Sequence, residues 1–319
     1  MAQARTSSRE SGPTASAVIW TAYWNGRFVP DTEVQISPWD RGFMMADAAY
    51  EATRTFAHVP FHLDWHLDRL MKTLAYLRLD PGLSRAELEA LTLAVLERNR
   101  SHLRSHDDVV LTHRITRGAF RGSFASADGP PTVLILCRPM NFAAFARYYD
   151  EGLEVEIPSI RAPAAGGLDP RAKTHNRLLL TLGHVQIGHL RPGVVPLLID
   201  VNDYVTESAA ANIHYVIGDE MVTPLDEVAL EGVTRRTLML VAAAAGVRVA
   251  RRPVHRGELR SAQEAIVTAS SFSMLPVRAL DGRTLSPVPG PVTRKLTAAF
   301  SAHAGVDIIA QSRAHLSRR

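Results

Sequence analysis

The regular apolar periods of this chain fail between about residues 141 and 167, and the break closes in Ala162-Pro163-Ala164-Ala165-Gly166-Gly167. Proline fixes φ and removes a backbone donor, glycine loosens the chain, and alanine buries little area, so such a stretch nucleates no core. Whatever folds on either side must do so around its own apolar pattern. With 319 residues, each half is long enough to bury a core. Two α+β domains with a site between them is the architecture this implies, since clefts at domain interfaces are common ligand sites. The expected organisation is a disordered leader over residues 1–16, a first domain over 17–145, a connection over 146–167, a second domain over 168–305 and a tail over 306–319.

Both halves mix helical and strand periods. Residues 18–23 and 27–29 flank Asn25-Gly26, a strong hairpin signal. A helix is expected over 63–77, with Leu67, Leu70, Met71, Leu74 and Leu77 on one stripe. A second runs to about residue 99 from Ser84, an N-cap with Glu87 three residues on as a capping box. Strands follow over 109–116 and 132–139. Beyond the break the pattern predicts strands over 194–200, 211–217, 247–252 and 265–269, and a helix over 234–245.

Composition removes several function classes. Hydrophobic content of 46% and charged content of 21% are those of an ordinary globular protein, and no apolar run approaches the roughly 18 residues of a membrane span. The first sixteen residues hold no apolar stretch of the secretory kind. A net charge of +4 spread over dispersed arginines, with no basic stripe interleaved with aromatics, argues against nucleic acid as a partner. The single Cys137 falls in an apolar strand pattern and reads as an inert core thiol; no internal disulfide is possible, and a cytoplasmic setting is expected. His62 and His66 lack the spacing to acidic partners that a metal needs, so no metal site is expected.

Lysine is nearly absent. Of 36 basic residues only Lys72, Lys173 and Lys295 are lysine. Guanidinium stays protonated, whereas a buried ammonium can lose its proton and attack a carbonyl, so any Schiff-base chemistry has three candidates. Lys72 and Lys295 fall off the apolar stripes of their helices and read as solvated. Three further features stand beside Lys173. Glu207 ends an apolar stretch, Leu230-Glu231-Gly232-Val233-Thr234-Arg235 puts glycine and a hydroxyl at a helix start, and Thr268-Ala269-Ser270-Ser271 closes a strand with hydroxyls. A helix N-terminus with flanking hydroxyls is a phosphate site, and a carboxylate facing a heteroaromatic nitrogen opposite a lysine is what pyridoxal phosphate chemistry requires.

In their order these segments resemble the fold type IV, or class IV, pyridoxal-phosphate aminotransferases. That group holds branched-chain, D-amino-acid and (R)-selective amine transaminases and aminodeoxychorismate lyase. The resemblance covers residues 20–303. It runs through Asp40-Arg41-Gly42-Phe43, Asp47-Ala48-Ala49-Tyr50-Glu51, His66-Leu67-Asp68-Arg69-Leu70 and Lys173-Thr174-His175-Asn176-Arg177. It continues through Thr206-Glu207-Ser208, Gly232-Val233-Thr234-Arg235 and Ala269-Ser270-Ser271 to Pro276-Val277. It implies a two-domain α+β fold with the active site at the domain interface, pyridoxal 5'-phosphate as cofactor and a homodimer. Lys173 would form the Schiff base and shuttle the proton, and Glu207 would pair with the ring nitrogen. Arg69, Val233, Thr234 and Ser270 would hold the phosphate, Leu230 would pack on the ring, and Tyr50 would line the substrate pocket. His175 is expected to pack rather than act as acid or base.

The chain also departs from the family pattern. The branched-chain enzymes carry a Tyr-x-Arg pair where this chain has Val110 and Thr112, and the aromatic and acidic residues of (R)-amine transaminases are missing there too. Arg121, in Arg121-Gly122-Ser123, resembles a mobile carboxylate-gripping arginine, without the histidine that accompanies it in D-amino-acid enzymes. The activity implied is ping-pong transamination between a small amine or amino acid and a keto acid, with an (R)-amine or D-amino-acid donor preferred. A branched-chain L-amino-acid enzyme and a lyase of the aminodeoxychorismate type are the alternatives.

Overall fold

Asn25 and Gly26 both take positive φ, 45° and 87°, the backbone that joins two right-twisted strands through a two-residue turn. They link β1 (Thr21–Trp24) to β2 (Arg27–Pro30) in antiparallel register, Trp24 opposite Arg27. The computed structural model describes residues 18–120, 122, 129–163, 167–187, 191–208 and 210–316. The expected leader and Arg121 lie outside them. A short helix α1 (Arg41–Met45) is capped by Asp40, whose carboxylate accepts from the Gly42 amide at 2.8 Å. Then come β3 (Ala48–Phe56), β4 (Val59–Pro60), α2 (Leu63–Leu77), α3 (Arg85–Asn99), β5 (Val109–Thr116) and β6 (Thr132–Pro139). These strands make an antiparallel sheet in the order β2-β1-β6-β5-β3-β4.

One face of that sheet is buried by the two helices. Leu67, Leu70 and Leu74 of α2 and Leu88 of α3 are almost fully buried against Leu111, Ile115, Ile135 and Cys137. The capping box is complete: the Glu87 amide donates to Ser84 Oγ (3.2 Å), and the Ser84 amide donates to Glu87 Oε2 (2.7 Å). Burial pushes the Cys137 thiol up to about 12, so it stays protonated and inert.

The stretch where periodicity fails carries α4 (Tyr148–Glu151) and β7 (Leu153–Glu156), four residues each, too short to give a period. β7 joins the second sheet, parallel to β8 (Val194–Ile199) and to β14 (Ser273–Leu280). The other elements are α5 (Leu178–Gln186), β9 (Val205–Ser208), β10 (Asn212–Ile217), β11 (Glu220–Thr223), α6 (Val233–Ala244), β12 (Arg248–Arg251), β13 (Glu264–Ala269), β15 (Arg283–Thr284), α7 (Pro291–Ala304) and α8 (Ile308–Ala314). Among the described residues this second sheet has nine strands, in the order β12-β11-β10-β13-β14-β7-β8-β9 with β15 on β14. Its core, around Leu197, Tyr215, Leu238, Ile266, Leu275 and Phe300, is separate from the first. The fold is thus α+β in two domains, as expected.

Strand alternation decides what faces the seam between them. On β3, Glu51 and Thr53 turn toward the helices, while Tyr50, Ala52 and Arg54 turn toward the second domain. Their partners on β5 are Arg114, Thr112 and Val110. Arg54 crosses the seam. Its guanidinium donates to Ser273 Oγ (3.2 Å) and Gln311 Oε1 (3.1 Å), lies 3.8 Å from the Phe56 ring and pairs with buried Asp108 at 3.8 Å. Burial brings its pKa down to about 10, against the pull of Asp108, so it remains charged at neutral pH. Arg54→Ala leaves Asp108 buried without its cation, and the variant should lose about 3–5 kcal/mol in urea unfolding. A loss below about 1 kcal/mol would show that this seam does not hold the domains together.

Candidate active site

Lys173 is held by its backbone before its side chain does anything. The Tyr50 amide donates to the Lys173 carbonyl (3.0 Å), the His175 amide donates to the Ala48 carbonyl (2.9 Å), and Ala49 bridges Thr174. From the other side the Lys173 amide donates to Thr73 Oγ1 of α2 at 3.1 Å. The segment after the connection is therefore stitched to β3 and α2 of the first domain. This sets Lys173 Nζ 3.4 Å from Tyr50 Oη and 4.4 Å from the Tyr50 ring centroid. Burial lowers the lysine pKa; Tyr50 and Glu51 act against it, and Arg69 and Arg177 add to it. A neutral amine is thereby made more available.

Glu207 lies near the end of β9, where the Leu230 amide donates to its Oε2 (3.2 Å). Burial raises its pKa, with Arg177 the strongest opposing charge. At the start of α6, Gly232 is the N-cap and has no side chain to satisfy the first-turn amides. A Cβ there would meet Asn212 Oδ1 at 2.0 Å, so only glycine lets Asn212 approach the helix entry, where Asn212 Nδ2 donates to the Leu230 carbonyl (2.8 Å).

Arg69 lies off the apolar stripe of α2, and periodicity alone reads it as a surface charge. It is buried instead, because the second domain covers that flank. Nε and one terminal nitrogen donate to the two oxygens of Glu51 (2.7 and 2.9 Å), and the other terminal nitrogen donates to the Glu231 carbonyl beside the α6 start (2.7 Å). His66 Nδ1 donates to Glu51 Oε2 at 2.6 Å. Burial alone would raise the Glu51 pKa; Arg69 and His66 more than offset it and hold the carboxyl well below the usual range.

Every residue that the sequence assigned to a cofactor lines one cavity. Arg69, Lys173, Glu207, Leu230, Val233, Thr234 and Ser270 surround it, joined by Arg177, Asn212 and Thr268. Tyr50 borders it through Lys173. His175 packs edge-on against Tyr50 (5.3 Å between centroids); burial, helped by Arg114, takes its pKa down to about 4, so it is a neutral packing group at pH 7. Lys72 and Lys295 are exposed. Sequence reasoning missed Glu51, His66 and Arg177 as members of the site. The signal was there for all three: Glu51 follows Tyr50, His66 stands one helical turn before Arg69, and Arg177 closes the motif that Lys173 opens.

The donor set fits pyridoxal phosphate. It offers one amine with a lowered pKa, one half-buried carboxyl able to face a ring nitrogen, and a helix entry with uncapped amides, a hydroxyl and an arginine for a phosphate. An enzyme of amine–carbonyl chemistry is the class that such a cavity between two α+β domains defines. The family model described as amino-transferase class IV matches residues 48–280, and the chain belongs to that family. It is a fold type IV, pyridoxal-phosphate-dependent aminotransferase. A putative branched-chain-amino-acid aminotransferase of Methanocaldococcus jannaschii is 28% identical over 282 residues, 87% of this chain and 94% of the relative. A D-alanine aminotransferase of Bacillus licheniformis is 26% identical over 280 residues, covering 87% of this chain and 94% of its own. The solved branched-chain aminotransferase of Escherichia coli shares the fold with a TM-score of 0.81, at 23% identity over 89% of this chain and 94% of that one.

Borohydride reduction of the protein with pyridoxal phosphate should leave a pyridoxyl group on the peptide bearing Lys173, and not on those bearing Lys72 or Lys295. Peptide mass spectrometry reads this directly, and labelling of another lysine would move the site.

Proposed function

We propose that the protein moves an amino group between a small amino donor and a keto acid in two half-reactions, with D-amino-acid or (R)-amine donors preferred. Pyridoxal phosphate, when bound, supplies an aldehyde carbon and a ring that accepts electrons. Lys173 Nζ would hold the cofactor's aldehyde carbon and move the proton during the reaction. Glu207 would keep the ring nitrogen protonated. Arg69, the first turn of α6 through Val233 and Thr234, and Ser270 would hold the phosphate, Leu230 would cover the ring, and Tyr50 would border the substrate.

The observation that argues against a branched-chain donor is the seam-facing side of β5. Val110 and Thr112 lie on the same face as Tyr50 and provide neither phenol nor guanidinium for a branched-chain pocket of the usual kind. Cations beside Tyr50 are Arg177 and, farther along the same face of β5, Arg114. Arg177 is half-buried, 6.0 Å from the Tyr50 ring, and lines both the lysine cavity and a neighbouring cleft with Leu168, Leu179, Leu180 and Leu198. Arg114 is paired directly with Tyr50 across the sheet. We assign Arg177 to the substrate carboxylate, with the leucine-lined part of that cleft for the side chain. Similarity to the M. jannaschii protein favours a second reading, a branched-chain L-amino-acid donor.

A half-reaction panel decides between these readings. The pyridoxal form, mixed with D-amino acids, L-amino acids and both enantiomers of a simple aryl amine, should lose its absorbance band fastest with D-amino acids or the (R)-amine. Faster bleaching by L-leucine would sink the preference, and pyruvate release without an amino acceptor would mark a lyase. In the same panel Arg177→Ala should raise KM for acids about tenfold or more, the loss of a charged hydrogen bond, and leave the uncharged amine nearly unaffected.

Trp39, Phe43 and Leu178 are 62%, 76% and 64% exposed, near the pairing of residues 48–50 with 173–175. Large apolar side chains left bare in this way support a homodimer through this side of the site. Light scattering should give twice the chain mass, and Phe43→Asp should lower it; a monomeric parent chain would refute the reading.

A further inference from the structure

Outside the active site, His106, Asp107 and His315 bring one ligand atom each to within 4.8 Å of the others. Asp107 Oδ1 stands between the two imidazoles, 3.6 Å from His106 Nε2 and 3.3 Å from His315 Nε2. Donors bound at about 2.0–2.1 Å around a tetrahedral ion lie roughly 3.4 Å apart, so both spacings are those of neighbouring ligands on one small cation.

The atoms behind the ligands are arranged in the same sense. A carbonyl oxygen only accepts, so His315 Nδ1 donates to the Gln311 carbonyl at 2.9 Å, and Nε2, which meets Asp107 Oδ1 at 3.3 Å, is the atom whose proton a cation would replace. The other carboxylate oxygen, Oδ2, accepts from the Arg104 amide at 3.0 Å, which leaves Oδ1 turned inward. The His315 ring is stacked on Phe142, 4.2 Å between centroids and 23° between planes. Outer partners that fix tautomer and ring orientation in this way are what ligating histidines and carboxylates require. The three side chains are 31%, 27% and 18% exposed, open enough to load an ion and to complete its shell with water.

We infer that His106, Asp107 and His315 form a site for a divalent transition metal, zinc in the first place, that ties the C-terminal end of α8 to the loop entering β5. Two imidazoles and one carboxylate suit zinc and its neighbours and suit magnesium or calcium poorly. The ion would close the same seam that Arg54 crosses, because Asp108, next to Asp107, accepts a hydrogen bond from Gln311 of α8. Its role is structural and independent of the reaction at Lys173.

The test titrates the holoenzyme with zinc chloride in a non-chelating buffer, following heat and Tm. One saturable site per chain is expected, with a rise in Tm as zinc binds the folded state. Asp107→Asn, His315→Gln and His106→Gln should each weaken that binding by about tenfold or more and abolish the rise. His106→Gln changes a part-exposed loop side chain and carries the test if the other two variants fold poorly. Absence of saturable binding, or binding that survives in His106→Gln and His315→Gln, overturns the site and leaves an Asp107–histidine ion pair.

Discussion

The site depends on one buried carboxylate. Glu51 has no exposed surface, and a charge in that position is tolerated only if paired and hydrogen-bonded on all sides. Arg69 meets it with two parallel bonds and His66 with a third, and Arg69 uses its remaining arm on the carbonyl beside the α6 entry. One strand of the first domain, one helix of the first domain and the N-terminal end of a helix in the second are thus fixed by a single group. Within the second domain, glycine at 232 leaves room for Asn212 beside that same helix entry.

Around this anchor the protein sets ionisable groups against each other by environment alone. Glu51 is fully buried and Glu207 half-buried, yet the first is held far below the usual range by Arg69 and His66, and the second is raised because desolvation outweighs its partners. Glu51 stays charged through the whole pH range in which the fold is useful, and its stabilising contribution is lost only as pH falls below the ordinary carboxylate range. Glu207 is left in want of a cationic partner, which is the state in which a protonated ring nitrogen is most favourable. Lys173 is shifted the other way, toward the neutral amine. Divergent shifts within one cavity are how like groups receive different tasks.

Much of this was legible in the residues. Asn25-Gly26 specified its hairpin, Ser84 and Glu87 their capping box, and the leucine stripe its helix, because each is a local rule satisfied within a few residues. The ordered segments around Lys173, Glu207, Gly232 and Ser270 identified the family, and the structure gathers them round one cavity. Arg69 was legible only by resemblance, since its stripe position says solvent. β7 was hidden because four residues carry no period. The weight of Arg177 was hidden because its neighbours Tyr50 and Glu207 are far away in the chain, and His106, Asp107 and His315 were hidden for the same reason.

By itself, then, the sequence determined the local elements, the family and the short choice of lysines from which Lys173 is proposed, for these rest on short-range periodicity, capping and motif order. Only the tertiary structure decided which charges lie together, and therefore which carboxyl is anchored by cations, which is raised by burial, and which arginine comes beside Tyr50 and Lys173. Burial and charge proximity set those properties, and both arise only when two separately folded cores close on each other.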